Sequence, residues 1–204
     1  MSKSKQYAPL TVVALYSGKK GADTQVDAIV DGLEAKHAVA EVHAIRKNGF
    51  QRDEVFHSSI DFCLEKLDKP YNDSKTVIVT ADAAMLPTLK HLKDSKNTAP
   101  VIFSAHKLDE DILRAIELGR ISVAGIPAYE LTPDRLAALG ATKTIEKFKN
   151  NIVPLIEVPT TASPEIFEAY RHEYEVVKGF RTAPSKALKI VVLPGDLTGS
   201  NKPK

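Results

Sequence analysis

The sequence has no tryptophan, only one cysteine and no long hydrophobic run. The last two features each exclude a class of protein. Cys63 alone cannot form an intrachain disulfide or a multi-thiolate metal site. The apolar stretch PLTVVALY near the N terminus is about half the length that a membrane-spanning helix requires. We therefore expect a cytoplasmic protein without a membrane span.

An excess of charge of either sign is also missing. The 28 basic and 26 acidic residues are interspersed and give a formal net charge of +2, so no strong field gathers polyanions. Without a basic groove, aromatic stacking on bases has little support, and we expect no nucleic-acid partner. The six histidines show no metal-ligand spacing, so we expect neither a metal nor a cofactor.

The 204 residues are enough to bury a core, and their 43% hydrophobic content is that of an ordinary globular domain. The sequence predicts one domain over residues 9–196. Residues 1–8 and the polar tail 197–204 are predicted to be disordered.

Short apolar runs alternate with stretches of helical periodicity, which is typical of βα units around a mostly parallel sheet. The predicted strands are 9–16, 38–45, 75–81, 99–105, 120–126 and 187–194. Segment 151–157 is a weaker strand candidate, because Pro154 cannot donate to a central ladder. The predicted helices are 22–36, 59–68 and four that begin at Pro87, after Asp109, at Thr132 and at Ser163. The expected fold is a single Rossmann-like, doubly wound α/β sheet flanked by helices.

Doubly wound sheets bind ligands beyond the carboxyl ends of their strands, and the turn YSGKKGADTQ follows the first predicted strand. It supplies backbone N–H groups and lysines near a helix N-terminus, which favours an anion. The alternative interpretation is a plain chain reversal, because neither common phosphate-binding glycine motif is matched. The candidate ligand residues here are Gly18, Lys19, Lys20, Gly21 and Gln25.

Two later turns contribute Asp82 and His106 at predicted strand ends. The carboxylate of Asp82 suits orientation of a hydroxyl or a role as a base, although aspartate in such a turn is more often a local cap. His106 can titrate near neutral pH, but no sequence-near nucleophile accompanies it. A partner surface is predicted at Phe148, Tyr170 and Tyr174, whose alternative role is core packing.

The order of these motifs resembles the bacterial family of mitochondrial-fission ELM-like proteins, which have a GT-B glycosyltransferase-type architecture. GKKGADTQ is similar to the family's opening G-K-x-G-x-x-x-Q, and NIVPLIEVPTTASPEIFEAY is similar to its N-V-x-P…P…T-P-E-x-L-x-x-A segment. VAGIPAYE and KALKIVVLPGD resemble two of its strands. The resemblance implies an N-terminal GT-B lobe, with the donor-binding lobe outside residues 1–204.

This sequence departs from the family pattern where a ligand would bind. The aspartate expected after the second glycine is Ala22, with Asp23 shifted by one, and the basic turn is replaced by ADAA at 81–84. The family's proline turn is replaced by AHK at 105–107.

Two functions therefore stay open. The first is a noncatalytic module that acts as a subunit or adaptor in a protein complex. The second is an acceptor-binding subunit of a split glycosyltransferase, with a nucleotide-sugar or another anionic small molecule as ligand. A weaker third hypothesis is an independent enzyme that uses Asp82 and His106.

Overall fold

The computed structural model describes residues 8–68, 74–159 and 187–191. The predicted terminal segments lie outside this part of the chain, apart from Ala8, and so do the predicted helix at Ser163 and the candidates Tyr170 and Tyr174. Everything below concerns the described residues.

Seven strands form one sheet in the order β2-β1-β3-β4-β5-β6-β7. The first six pair in parallel, and β7 pairs antiparallel with β6. Their bounds are β1 Leu10–Tyr16, β2 Val39–Arg46, β3 Lys75–Ala81, β4 Val101–Ser104, β5 Val123–Pro127, β6 Ile152–Pro159 and β7 Ala187–Val191. The fold predicted from the alternation of patterns is confirmed: this is a Rossmann-like α/β sheet.

Six α-helices connect the strands. They are α1 Lys20–Lys36, α2 Asp53–Leu67, α3 Leu86–Asp94, α4 Glu110–Glu117, α5 Pro133–Ala138 and α6 Thr142–Phe148. The sheet separates two hydrophobic clusters, one formed with α1 and the other with α2, α3 and α4. Helices on both faces make the sheet doubly wound. The reversal of strand order between β1 and β3 creates a switch point at their carboxyl ends.

The predicted helix limits differ from the observed ones mainly in α2 and α6. The sequence predicts a helix over 59–68, whereas α2 begins six residues earlier at Asp53. Its first turn carries acidic residues and only one buried apolar side chain, Phe56, so hydrophobic periodicity is weak there. Helix α6 was not predicted, because none of its residues is fully buried.

Pro154 does not prevent β6 from lying inside the sheet. It pairs in register with Ile126 of β5, while the ladder with β7 starts one residue later, at Leu155. Among the described residues, Pro154 therefore lies in the ladder with β5 and outside the ladder with β7.

Candidate functional site

The turn after β1 requires a glycine at its second position, after Ser17. Gly18 has φ of +84°, and a Cβ placed there would lie 3.0 Å from the carbonyl oxygen of Lys47. Its N–H donates to Asp23 Oδ1 at 3.3 Å, within the first turn of α1. Lys20 and Gly21 then begin α1 and stay exposed. The helix N-terminus therefore already has a carboxylate of its own chain beside it.

Asp82 follows β3 on the other side of the switch point and is nearly fully buried. Its Oδ1 accepts the N–H of Ala84 at 2.9 Å, which makes it the cap of a short 3₁₀ turn. Its Oδ2 lies 2.9 Å from the ammonium nitrogen of Lys19. The capping interpretation is what the structure shows, with an ion pair in addition.

The backbone at Asp82 is strained. Its φ is +81° and its ψ is 139°, a region that L-residues with a Cβ seldom occupy. The Asp82 N–H donates to the carbonyl oxygen of Ser104 at 3.2 Å, and Met85 N–H donates to the Asp82 carbonyl at 2.9 Å. These bonds hold the residue in a conformation that costs on the order of 1–3 kcal/mol.

Opposing effects act on the carboxyl of Asp82. Burial favours the neutral form and raises its pKa, but the hydrogen bond from Ala84 and the adjacent Lys19 ammonium outweigh burial. A smaller electrostatic effect comes from His106. The net result is a pKa below the ordinary value, so Asp82 is a stable anion at neutral pH and a poor general base.

Gln25, Ser104 and His106 form a second group at the ends of β1 and β4. The hydroxyl of Ser104, which is fully buried, donates to Gln25 Oε1. Gln25 Nε2 then lies 3.2 Å from Nδ1 of His106, and accepting its N–H requires that nitrogen of the ring to be unprotonated. The structure thus brings together two residues predicted from separate turns. Ser104 was not predicted; its position as the last residue of a strand facing the switch point was the available signal.

The site is bordered by two further polar contacts. The hydroxyl of Tyr16 donates to Asp27 at 2.9 Å, and the guanidinium of Arg46 lies 3.8 Å above the Tyr16 ring centroid. Burial, then the hydrogen bond to Asp27, raises the pKa of Tyr16 to about 12. Tyr16 is therefore a hydrogen-bond donor and not a titrating group in the physiological range.

Phe148, the described member of the predicted partner surface, lies far from these turns at the end of α6. Its ring is half-buried against the core, with the Lys147 ammonium 5.0 Å from its centroid. It also lines a cavity of about 280 Å³ with Ile121 and Asn151, at the amino ends of β5 and β6. Its role as a partner contact stays a prediction.

Two histidines meet on the outer surface between α2 and α3. The rings of His57 and His91 stack with centroids 4.3 Å apart, and Nε2 of His91 lies 2.9 Å from Asp61 Oδ1. Across residues 8–68, 74–159 and 187–191, no group of three or more histidine, cysteine or acidic side chains is arranged to hold a metal ion. In the same residues no helix is both long and apolar enough to cross a membrane.

Comparisons with protein-family models, with curated proteins and with solved structures find no match for this chain. Its function has to be argued from the geometry above.

Proposed function

We propose that this chain is a noncatalytic Rossmann-like module that serves as a subunit or adaptor of a protein complex, derived from the N-terminal lobe of an ELM-like, GT-B-type ancestor. One observation carries the proposal. The polar groups at the switch point are bonded to one another: Lys19 to Asp82, and Gln25 to both Ser104 and His106.

A ligand at this site would have to break those contacts. An anion that enters the crevice at the N-terminus of α1 meets Asp23 within the first turn and competes with Asp82 for Lys19. Like charges at such distances oppose binding, and an anion that takes Lys19 leaves the buried Asp82 carboxylate with the Ala84 N–H alone. The helix dipole alone contributes about 0.3–1 kcal/mol, which does not compensate for both losses.

A second candidate function is the acceptor-binding subunit of a split glycosyltransferase. The exposure of Lys19 and Lys20 at the helix start favours it, because both ammonium groups can reach an anionic ligand outside the crevice. The strained backbone of Asp82 also favours it, since such strain clusters at functional sites. On this alternative the nucleotide-sugar is held mainly by a separate chain.

Ligand binding separates the two proposals. We expect melting temperatures in a panel of UDP-sugars, GDP-sugars and phosphosugars to equal that of the protein alone. A ligand present at about 100 times its dissociation constant adds about 2.7 kcal/mol of stability, or roughly 5–10 °C for a chain of this size. A rise of that size with a nucleotide-sugar would refute the noncatalytic proposal if Lys19→Ala removes it. Lys143→Ala, on the exposed start of α6, is the control and should keep it.

The subunit role has its own measurement. Expressed at native level in its source cell with an affinity tag, the protein should elute from size exclusion in a complex with a different protein at constant stoichiometry. Reconstitution from the two purified chains should reproduce that complex. Recovery of a single nucleotide-sugar-binding chain as the partner would support the split enzyme instead.

A further inference from the structure

The strand at one end of the sheet, β2, is open along its outer edge. In the part of the chain that the structure describes, β2 pairs only with β1. The N–H of Lys47 donates to Tyr16 O at 2.9 Å. From Glu41 onward the register is regular, so the odd-numbered residues of β2 direct their N–H and C=O groups toward β1. Because the direction alternates along a strand, Val42, Ala44 and Arg46 present their N–H and C=O groups outward.

Several exposed side chains of this strand are small or apolar. Ala40, Val42 and Ala44 are exposed, with Val42 38% exposed although it belongs to a β-branched type that is usually buried. The register with β1 slips between Leu10 and Thr11, which leaves Ala40 as a bulge. Regular pairing on the outer edge is therefore available from Glu41 onward.

Helix α2 continues the same flank. Val55, Ser59 and Phe62 lie at helical spacing on its outer side, and Val55 and Phe62 are 55% and 60% exposed. Helix α2 packs against β2, and its His57 and Asp61 contact α3 on the opposite side. An apolar stripe therefore runs beside the open edge of β2.

We propose that this flank, the open edge of β2 with the Val55–Phe62 stripe of α2, is the interface of a symmetric homodimer. The two β2 strands pair antiparallel across a twofold axis and join the sheets of both copies. The two α2 helices then face each other on one side of the joined sheet, where their exposed apolar side chains meet.

Side-chain complementarity selects the register and the occupant. With a twofold axis perpendicular to the sheet, odd-numbered residues of one strand lie opposite odd-numbered residues of the other, and even-numbered residues lie opposite even-numbered ones. An axis at Val42 places the two copies of Val42 opposite each other. On either side of them, Glu41 of one copy lies opposite His43 of the other, so this pair occurs twice. An axis at His43 would set two imidazoles together and Glu41 against Ile45. An imidazole N–H can donate to a carboxylate across a strand pair, which makes the strand complementary to a copy of itself.

Within one chain, Glu41 and His43 already contact each other, with Oε2 2.7 Å from Nε2. In the register centred on Val42, two such pairs become one cluster of four side chains. The Val42 pair adds two backbone hydrogen bonds, and the α2 stripes add the apolar area. The proposal is independent of whether the switch-point crevice binds a ligand.

The oligomeric state tests the interface. Sedimentation velocity and light scattering at about 100 μM should give twice the chain mass of 22.3 kDa, since a dissociation constant of about 10 μM already makes most of the protein dimeric. Val42→Pro removes an outward N–H and none of the hydrogen bonds to β1, and it should weaken the dimer by about 100-fold or more. Phe62→Glu should also give a monomer with an unchanged circular dichroism spectrum.

Tyr129→Glu is the matched control, because Tyr129 is 59% exposed elsewhere on the surface; it should stay dimeric. A monomeric wild type, or a dimer that survives both Val42→Pro and Phe62→Glu, overturns the proposal. A monomer that instead adds a strand from a different protein at this edge overturns it as well.

Crosslinking tests the register. In a Cys63→Ala background, Val42→Cys should oxidise to a covalent dimer, because a hydrogen-bonded antiparallel pair has Cα atoms about 5.5 Å apart, within disulfide range. Ala44→Cys in the same background should stay uncrosslinked, since the two copies of residue 44 lie roughly 13 Å apart along the strands. Crosslinking at residue 44 and not at residue 42 would overturn the register centred on Val42.

Discussion

Asp82 allows the strain at the switch point to be measured directly. Replacing it with alanine removes the cap on Ala84 and the ion pair with Lys19, while the backbone keeps its φ of +81°. Replacing it with glycine removes the same contacts and also the steric cost of a Cβ at positive φ. The two variants therefore differ in backbone strain and in the conformational entropy that glycine loses on folding.

The magnitudes follow from the contacts. Loss of the cap costs about 1 kcal/mol, and the ion pair adds at most about 0.5 kcal/mol because the Lys19 side chain is 61% exposed. We expect Asp82→Ala to lower the free energy of unfolding by about 1–1.5 kcal/mol. Relief of about 1–2 kcal/mol of strain should make Asp82→Gly more stable than Asp82→Ala by about 1 kcal/mol.

Urea denaturation of the two variants and the wild type measures the difference, with equal m-values as the check that unfolding stays two-state. At ordinary positions glycine is the less stable of the two by about 0.5–1 kcal/mol. If Asp82→Ala equals or exceeds Asp82→Gly in stability, the backbone at this residue is not strained and the reasoning fails. Asp82→Asn, which keeps an acceptor for Ala84, should fall close to the wild type.

Three further predictions concern stability. Gly18→Ala should lower the free energy of unfolding by about 1–3 kcal/mol, because Gly18 has a positive φ and a Cβ there would lie close to a carbonyl oxygen. Gly21→Ala, which has open space at its Cβ inside α1, should be neutral or stabilising in the same urea titration. Glu130→Ala should cost about 1–2 kcal/mol, since this buried carboxylate accepts from Arg135 through both oxygens at 2.8 Å and from the Leu108 N–H, while the released Arg135 is half-exposed. Exposed Glu146→Ala is the control, and equal losses would contradict the role of burial. Burial, then the neighbouring histidine, lowers the pKa of His57, so the unfolded state binds more protons and stability should fall as pH drops below about 6.5. Thermal melts of His57→Gln across that range should show a shallower slope, and an unchanged slope would rule out this histidine as the cause.

Elements with a buried apolar pattern were predictable from the sequence. Residues at helical spacing such as Val26, Ile29 and Leu33 face the sheet, and all seven strands form where apolar runs occur. The start of α2 and the whole of α6 were not predictable in this way. Both segments have few buried apolar residues, so a search for apolar residues at helical spacing does not detect them.

The candidate site was predictable as a place and not as a set of contacts. The rule that ligands bind beyond strand ends identifies the turns of Lys19, Asp82 and His106, and the structure places them around one switch point. That Lys19 pairs with Asp82, and that Gln25 lies between Ser104 and His106, depends on side-chain geometry across strands that are distant in sequence. The spacing of residues in the sequence does not show which of these side chains contact each other.

The antiparallel strand β7 has a consequence for synthesis of the chain. It pairs with β6, yet it begins at Ala187, after β6 has ended at Pro159. At about 5–20 residues per second, a ribosome needs roughly one to five seconds to make the stretch between them. During that interval the newly made IVPLIEVP cannot yet pair with β7, so a chaperone would matter most for this segment.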